Sequence, residues 1–128
     1  MKKLRVLIVD DSSVMRKIVE RALRSAGLEL SEVLEATNGA EGLIAAEKGG
    51  LDLILSDINM PVMDGLEFLR NLRTIAVAKG VPVVMISTEG SEAHVVEALS
   101  LGARGYLRKP FTSEQLKERV MPLLGVLQ

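Results

Sequence analysis

Five short apolar runs alternate with segments of helical periodicity along this chain, and that alternation constrains the fold more than any other feature. Strands separated by helix-length segments build parallel βαβ units, so a doubly wound α/β sheet is expected. The predicted strands are Leu4–Val9, Glu32–Ala36, Leu51–Ser56, Pro82–Ser87 and Gly105–Lys109. The first, third and fourth are nearly continuous in Val, Ile and Leu, as strands covered on both faces require. The second and fifth are more polar and are assigned to the sheet edges.

The helices follow from stripes and caps. Met15, Ile18, Val19, Ala22, Leu23 and Ala26 fall at i, i+3, i+4, i+7, i+8 and i+11. That is one apolar face of a helix starting at Ser12 or Ser13 and stopped by Gly27. Asn38 with Glu41, Asp64 with Glu67, and Thr112 with Gln115 each pair an N-cap with a reciprocal partner three residues on. These capping boxes predict helices at about 39–48, 65–74 and 113–124, and Ser91 caps another at about 92–101.

At 128 residues the chain is expected to be a single domain, 1–128, with a core large enough to need no staple. It contains no cysteine, which excludes disulfides, thiolate zinc sites and a Cys nucleophile. The net charge is −1 with both signs interspersed, so no basic patch points to nucleic acid. No apolar run reaches the roughly 18 residues of a membrane span, and the start lacks a signal-peptide core, so a cytoplasmic location is expected. Aromatics are 2% of the residues, so the core must be aliphatic. No linker or repeat interrupts the pattern. The last predicted helix ends close to the final residue, so no attached output domain is expected.

Three carboxylates carry the chemistry. Asp10 and Asp11 end the first apolar run, and Asp57 ends the third. Strand C-termini in such a sheet line one edge, where ligands bind. Acids converging there repel one another unless a cation joins them. An all-oxygen donor set suits Mg²⁺ with several waters retained. The residues therefore read as a small acidic, metal-dependent site for something that carries phosphate. Taken singly, an Asp after a strand is usually a cap or a solvated turn. It is the set of three, with Ser87 and Lys109 at two further strand ends, that reads as functional. Met60 and Met63 are read as loop packing, Gly65 as a turn residue after Asp64, and His94 as solvent-exposed.

The segments VLIVDDSSVMRKIVE, LILSDINMPVMDGLEFLR, VVMIST and GARGYLRKPFT resemble the receiver domain of two-component response regulators. The match runs essentially end to end and resembles the single-domain, CheY-like kind. The resemblance implies a (βα)5 flavodoxin-like fold with strand order 2-1-3-4-5. It implies a phosphorylation-activated signalling switch in chemotaxis, or alternatively in a phosphorelay or other pathway. Such a protein is a phosphoacceptor and no enzyme beyond its own phosphoryl transfer and dephosphorylation.

Residue by residue, the resemblance makes Asp57 the phosphoacceptor. Asp11 and Asp57 would bind Mg²⁺ directly with the backbone carbonyl of Asn59, and Asp10 through a water. Ser87 would hydrogen-bond a phosphoryl oxygen, Lys109 would supply a second positive charge, and Tyr106 would turn inward on activation. Asn59, Thr88 and Glu89 occupy positions that tune dephosphorylation, and Thr88 stands where many relatives carry Ala or Gly. Lys109–Pro110 would be cis. The implied partners are a CheA-like sensor histidine kinase, a phosphatase, and a target such as the flagellar motor switch. The target would bind the face of the fourth helix, fifth strand and fifth helix. Neither nucleic acid nor membrane insertion is expected.

Two rival classes are weaker. An Asp-nucleophile phosphatase commonly needs a second acid two positions on, where this chain has Asn59. A flavodoxin-like cofactor carrier needs a phosphate-cradling loop after the first strand, where this chain has two acids.

Overall fold

Five parallel strands form one sheet in the order β2-β1-β3-β4-β5. The computed structural model describes residues 3–88 and 92–125. In chain order the elements are β1 (Leu4–Val9), α1 (Ser13–Ser25), β2 (Leu30–Ala36), α2 (Gly39–Glu47), β3 (Leu53–Ser56), α3 (Gly65–Leu72), a 3₁₀ turn (Ala76–Ala78), β4 (Val83–Ser87), α4 (Glu92–Ser100), β5 (Gly105–Arg108) and α5 (Ser113–Leu124). The polar strands β2 and β5 are the edges, because only an edge strand can leave part of its surface to water. Ser91 and Glu89 lie outside the described residues.

The core has two layers because each buried strand sends alternate side chains to opposite faces. Leu4, Val6, Ile8, Leu53, Leu55, Val84, Ile86 and Leu107 face α1 and α5, where they meet Val19, Leu23, Leu116 and Val120. Leu7, Val9, Ile54, Val83 and Met85 face α2, α3 and α4 around Phe68. Full burial of a side chain such as Leu or Phe contributes roughly 1.5–3 kcal/mol relative to exposure. The core is aliphatic except for Phe68, the largest fully buried side chain. Gly42 makes room for it, since a Cβ there would stand 2.8 Å from the Phe68 ring.

The caps form with different completeness. Thr112 and Gln115 make both bonds of the capping box. Asn38 accepts from the Glu41 N–H at 2.9 Å, but the Glu41 carboxylate reaches back to the Thr37 N–H at 2.8 Å. Asp64 accepts from the Glu67 N–H at 2.9 Å, while the Glu67 carboxylate turns away to Arg70 at 3.2 Å.

Three further expectations are corrected. Ile18 belongs to the apolar stripe of α1 yet is 45% exposed. It lies at the margin of that stripe and lines a 340 Å³ apolar depression with Met15, Thr88, Pro110 and Phe111 instead of packing on the sheet. His94 is half-buried. Strand β5 ends at Arg108, one residue short of the expected Lys109, which lies beyond it.

Candidate functional site

The sheet register brings the sequence-predicted residues into one row. Val9 stands beside Ser56 in the β1–β3 pair, and the Asp57 N–H donates to the Val9 carbonyl at 2.9 Å. Asp10 and Asp57 are therefore neighbours by strand pairing. Ser87 pairs in register with Arg108, and the Lys109 N–H donates to the Ser87 carbonyl at 2.9 Å. Order reverses between β1 and β3, where an open α/β sheet leaves its crevice.

Ligand oxygens of Asp10, Asp11 and Asp57 all lie within 4.8 Å of one another. Asp10 is buried, Asp57 half-buried and Asp11 exposed. The Lys109 ammonium reaches over from the end of β5, with Nζ 3.1 Å from Asp10 Oδ2 and 3.3 Å from Asp57 Oδ2. That cation offsets the repulsion that converging acids suffer. Asp57 is further held by the Ile58 N–H, which donates to its Oδ1 at 2.7 Å. Burial pushes the Asp57 carboxyl above the usual Asp range; the Lys109 charge opposes that rise and the Asp10 charge adds to it. Hard oxygen donors at this spacing, open to solvent on the Asp11 side, fit a hexacoordinate divalent cation that keeps several waters.

The other predicted residues are distributed around this cluster. Asn59 is exposed in the β3–α3 loop, and Thr88 is exposed immediately after buried Ser87. Tyr106 is half-buried against the α2–α3–α4 side of the core. The Lys109–Pro110 bond is cis. Met60 and Met63 pack against the same side of the core. Gly65 has a different reason from the turn expected of it, because a Cβ there would collide with the Asp57 carbonyl oxygen and stand 2.8 Å from Ile58 Cα.

Arg16 and Glu35 escape a reading of the sequence. Arg16 Nη1 donates to the Asp10 carbonyl at 2.6 Å, and Arg16 Nε donates to Glu35 Oε1 at 2.8 Å. The two lie 19 residues apart on different elements, so no local periodicity marks them.

Three clustered carboxylates at the switch point of a five-stranded doubly wound sheet, faced by a lysine from beyond the last strand, define a doubly wound α/β domain with an acidic site at its ligand-binding edge. The chain belongs to the response regulator receiver domain family, which residues 6–121 match. It is 40% identical over 119 residues to chemotaxis protein CheY-3 of Vibrio cholerae, covering 93% of this chain and 90% of that protein. The solved structure of V. cholerae CheY4 superposes with a TM-score of 0.84 at 40% identity, covering 96% of this chain and all of that one. A CheX–CheY–BeF3–Mg complex from Borrelia burgdorferi matches with a TM-score of 0.84 at 33% identity, over 94% of this chain and 88% of that one. The chain is thus CheY-like in sequence and fold. No helix among the described residues is long and apolar enough to cross a membrane.

Proposed function

We propose that this protein, a single receiver domain over residues 1–128, is a cytoplasmic phosphorylation switch of a two-component system that works in chemotaxis. It accepts a phosphoryl group on Asp57 from a CheA-like histidine kinase. The observation that carries this reading is the convergence of Asp10, Asp11 and Asp57 within 4.8 Å, with Lys109 Nζ 3.3 Å from Asp57.

An Asp57 carboxylate oxygen attacks phosphorus. The new P–O bond forms as the P–N bond to the donor histidine breaks, and the imidazole nitrogen leaves with the electron pair. The attack needs the ionised carboxylate. Lys109 favours that form against the desolvation of the site. Asp11, Asp57 and the Asn59 carbonyl would hold Mg²⁺ directly and Asp10 through a water. When bound, Mg²⁺ neutralises charge on the transferring group. Ser87 takes a hydrogen bond to a phosphoryl oxygen and Lys109 an ion pair with another. Tyr106 turns inward as Ser87 moves, and the α4–β5–α5 face gains affinity for its target, the flagellar motor switch. Asn59, Thr88 and Glu89 set the hydrolysis rate and access of a phosphatase. CheX in the B. burgdorferi complex is a partner of that CheY; a phosphatase is proposed as a partner of this protein.

Acetyl phosphate with Mg²⁺ is expected to add one phosphoryl group, mapped to Asp57 by peptide mass spectrometry. Modification at a comparable initial rate in Asp57→Asn would overturn the assignment.

A further inference from the structure

We propose that Arg16 is a positioning residue of the acidic pocket: it grips the peptide carbonyl between Asp10 and Asp11, and Glu35 braces its guanidinium. The proposal rests on the reading that Asp10 and Asp11 belong to a metal site.

The contacts are two-ended. Arg16 stands in the first turn of α1, its N–H donating to the Ser12 carbonyl at 3.0 Å. From there its side chain, 13% exposed, folds back over the β1–α1 loop. Nη1 donates to Asp10 O and Nε to Glu35 Oε1 near the end of β2. The other Glu35 oxygen accepts from Lys17 Nζ at 3.4 Å. The Arg16 hydrogen bond holds the Glu35 carboxyl below its usual range, so the brace stays ionised near neutral pH. A guanidinium presents its donors in one rigid plane, so fixing Nε on Glu35 aims Nη1.

Every polar group of Asp10 is then engaged. Its N–H donates to Ala36 O at 3.0 Å, and its Oδ1 accepts from Ser12 N–H at 2.9 Å. Its Oδ2 accepts from Lys109 and its carbonyl from Arg16. That carbonyl shares a planar peptide unit with the Asp11 nitrogen. Holding it fixes the direction in which the chain enters Asp11, and so where the Asp11 carboxylate can lie. Among the described residues the exposed Asp11 carboxylate has no hydrogen-bond donor of its own. Its place in the cluster is therefore set by its backbone. Glu35 also offsets the charge that Arg16 brings toward a cation site, so the grip does not repel the cation.

Mg²⁺ titration of the metal-free protein by calorimetry and amide NMR tests this. Arg16→Met and Arg16→Lys are each expected to weaken Mg²⁺ binding about tenfold, the usual scale for groups that orient metal ligands. They should also shift the Asp10 and Asp11 amide signals before metal is added. A merely structural Arg16 would lower the melting temperature and leave Mg²⁺ affinity alone. Affinity equal to or above wild type in Arg16→Met would overturn the proposal, as would wild-type affinity in Arg16→Lys, which keeps the charge but not the fork. Glu35→Ala leaves Arg16 in place and decides the matter if the Arg16 variants do not fold; weaker Mg²⁺ binding supports the brace and unchanged binding removes it. Asp11→Ala separates the two layers of the argument. If it binds Mg²⁺ like wild type, the metal-site reading fails. If it loses binding while Arg16→Met does not, only the positioning role fails.

Discussion

Gly65 lies directly against the backbone of Asp57: no Cβ fits at Gly65 without striking the Asp57 carbonyl oxygen. The Gly65 N–H also donates to the Ile58 carbonyl at 2.7 Å, which ties the start of α3 to the residue after the proposed phosphoacceptor. The β3–α3 loop thus closes back on the strand end that presents Asp57.

Gly65→Ala is therefore expected to destabilise the protein by about 3 kcal/mol, the upper part of the range for overpacking a filled site. Backbone is the obstacle, and it cannot swing aside as a side-chain tip can. Urea unfolding measures the loss. The Asp57 and Ile58 amide signals should move as well, because relief of the clash must displace that backbone.

Asp57→Asn should stabilise the metal-free protein at neutral pH, because it removes a carboxyl that burial holds above the usual Asp range. Burial raises the Asp57 pKa, so the native state binds that proton more tightly than the unfolded state. Stability then falls as pH rises from the ordinary Asp range through the raised native value. The melting difference between variant and wild type in chelator should be small at low pH and grow through that window. Added Mg²⁺ should shrink or reverse it by stabilising the wild type.

Val62 sits at φ +69° with 85% of its surface exposed, between Pro61 and Met63, whose N–H donates to the Pro61 carbonyl at 2.7 Å. A β-branched residue is strained in that region, and its exposure means little packing compensates. Val62→Asn is expected to raise stability by about 1 kcal/mol, since Asn tolerates the left-handed region. An unchanged urea midpoint would contradict the strain.

Lys109→Ala removes the cation between Asp10 and Asp57, and both acids are largely buried. The metal-free variant should lose on the order of 2 kcal/mol, below the 3–5 expected for a fully buried pair because Lys109 keeps some solvent contact. Mg²⁺ should restore part of that loss. Moving a 1:99 equilibrium to 99:1 needs roughly 5.5 kcal/mol of preference, and one charge-assisted hydrogen bond supplies only about 1.5–3 kcal/mol. Ser87 and Lys109 should therefore both be needed for activation. With beryllofluoride and Mg²⁺, the variant should keep α4, β5 and α5 near their inactive chemical shifts. A full move to the active pattern would exclude coupling through Lys109.

Much of this protein is legible along the chain. The Val-, Ile- and Leu-rich runs mark β1, β3 and β4 as interior, and the polar runs mark β2 and β5 as edges, because burial on one or two faces acts on each strand's own residues. Thr112 and Gln115 announce the start of α5, because a cap satisfies backbone groups within one turn. Asp10, Asp11, Asp57 and Ser87 stand out because each follows or ends an apolar run, and Lys109 because it closes the fifth predicted strand. Tertiary structure alone decides the rest. Arg16 meets Glu35 and the Asp10 carbonyl through space, Gly65 is required by the Asp57 backbone, and Ile18 leaves the core although its helical stripe is intact. Periodicity and capping record what a residue does to its neighbours within a turn or a pleat; which atoms meet across packed elements depends on register and close approach, which no local pattern contains.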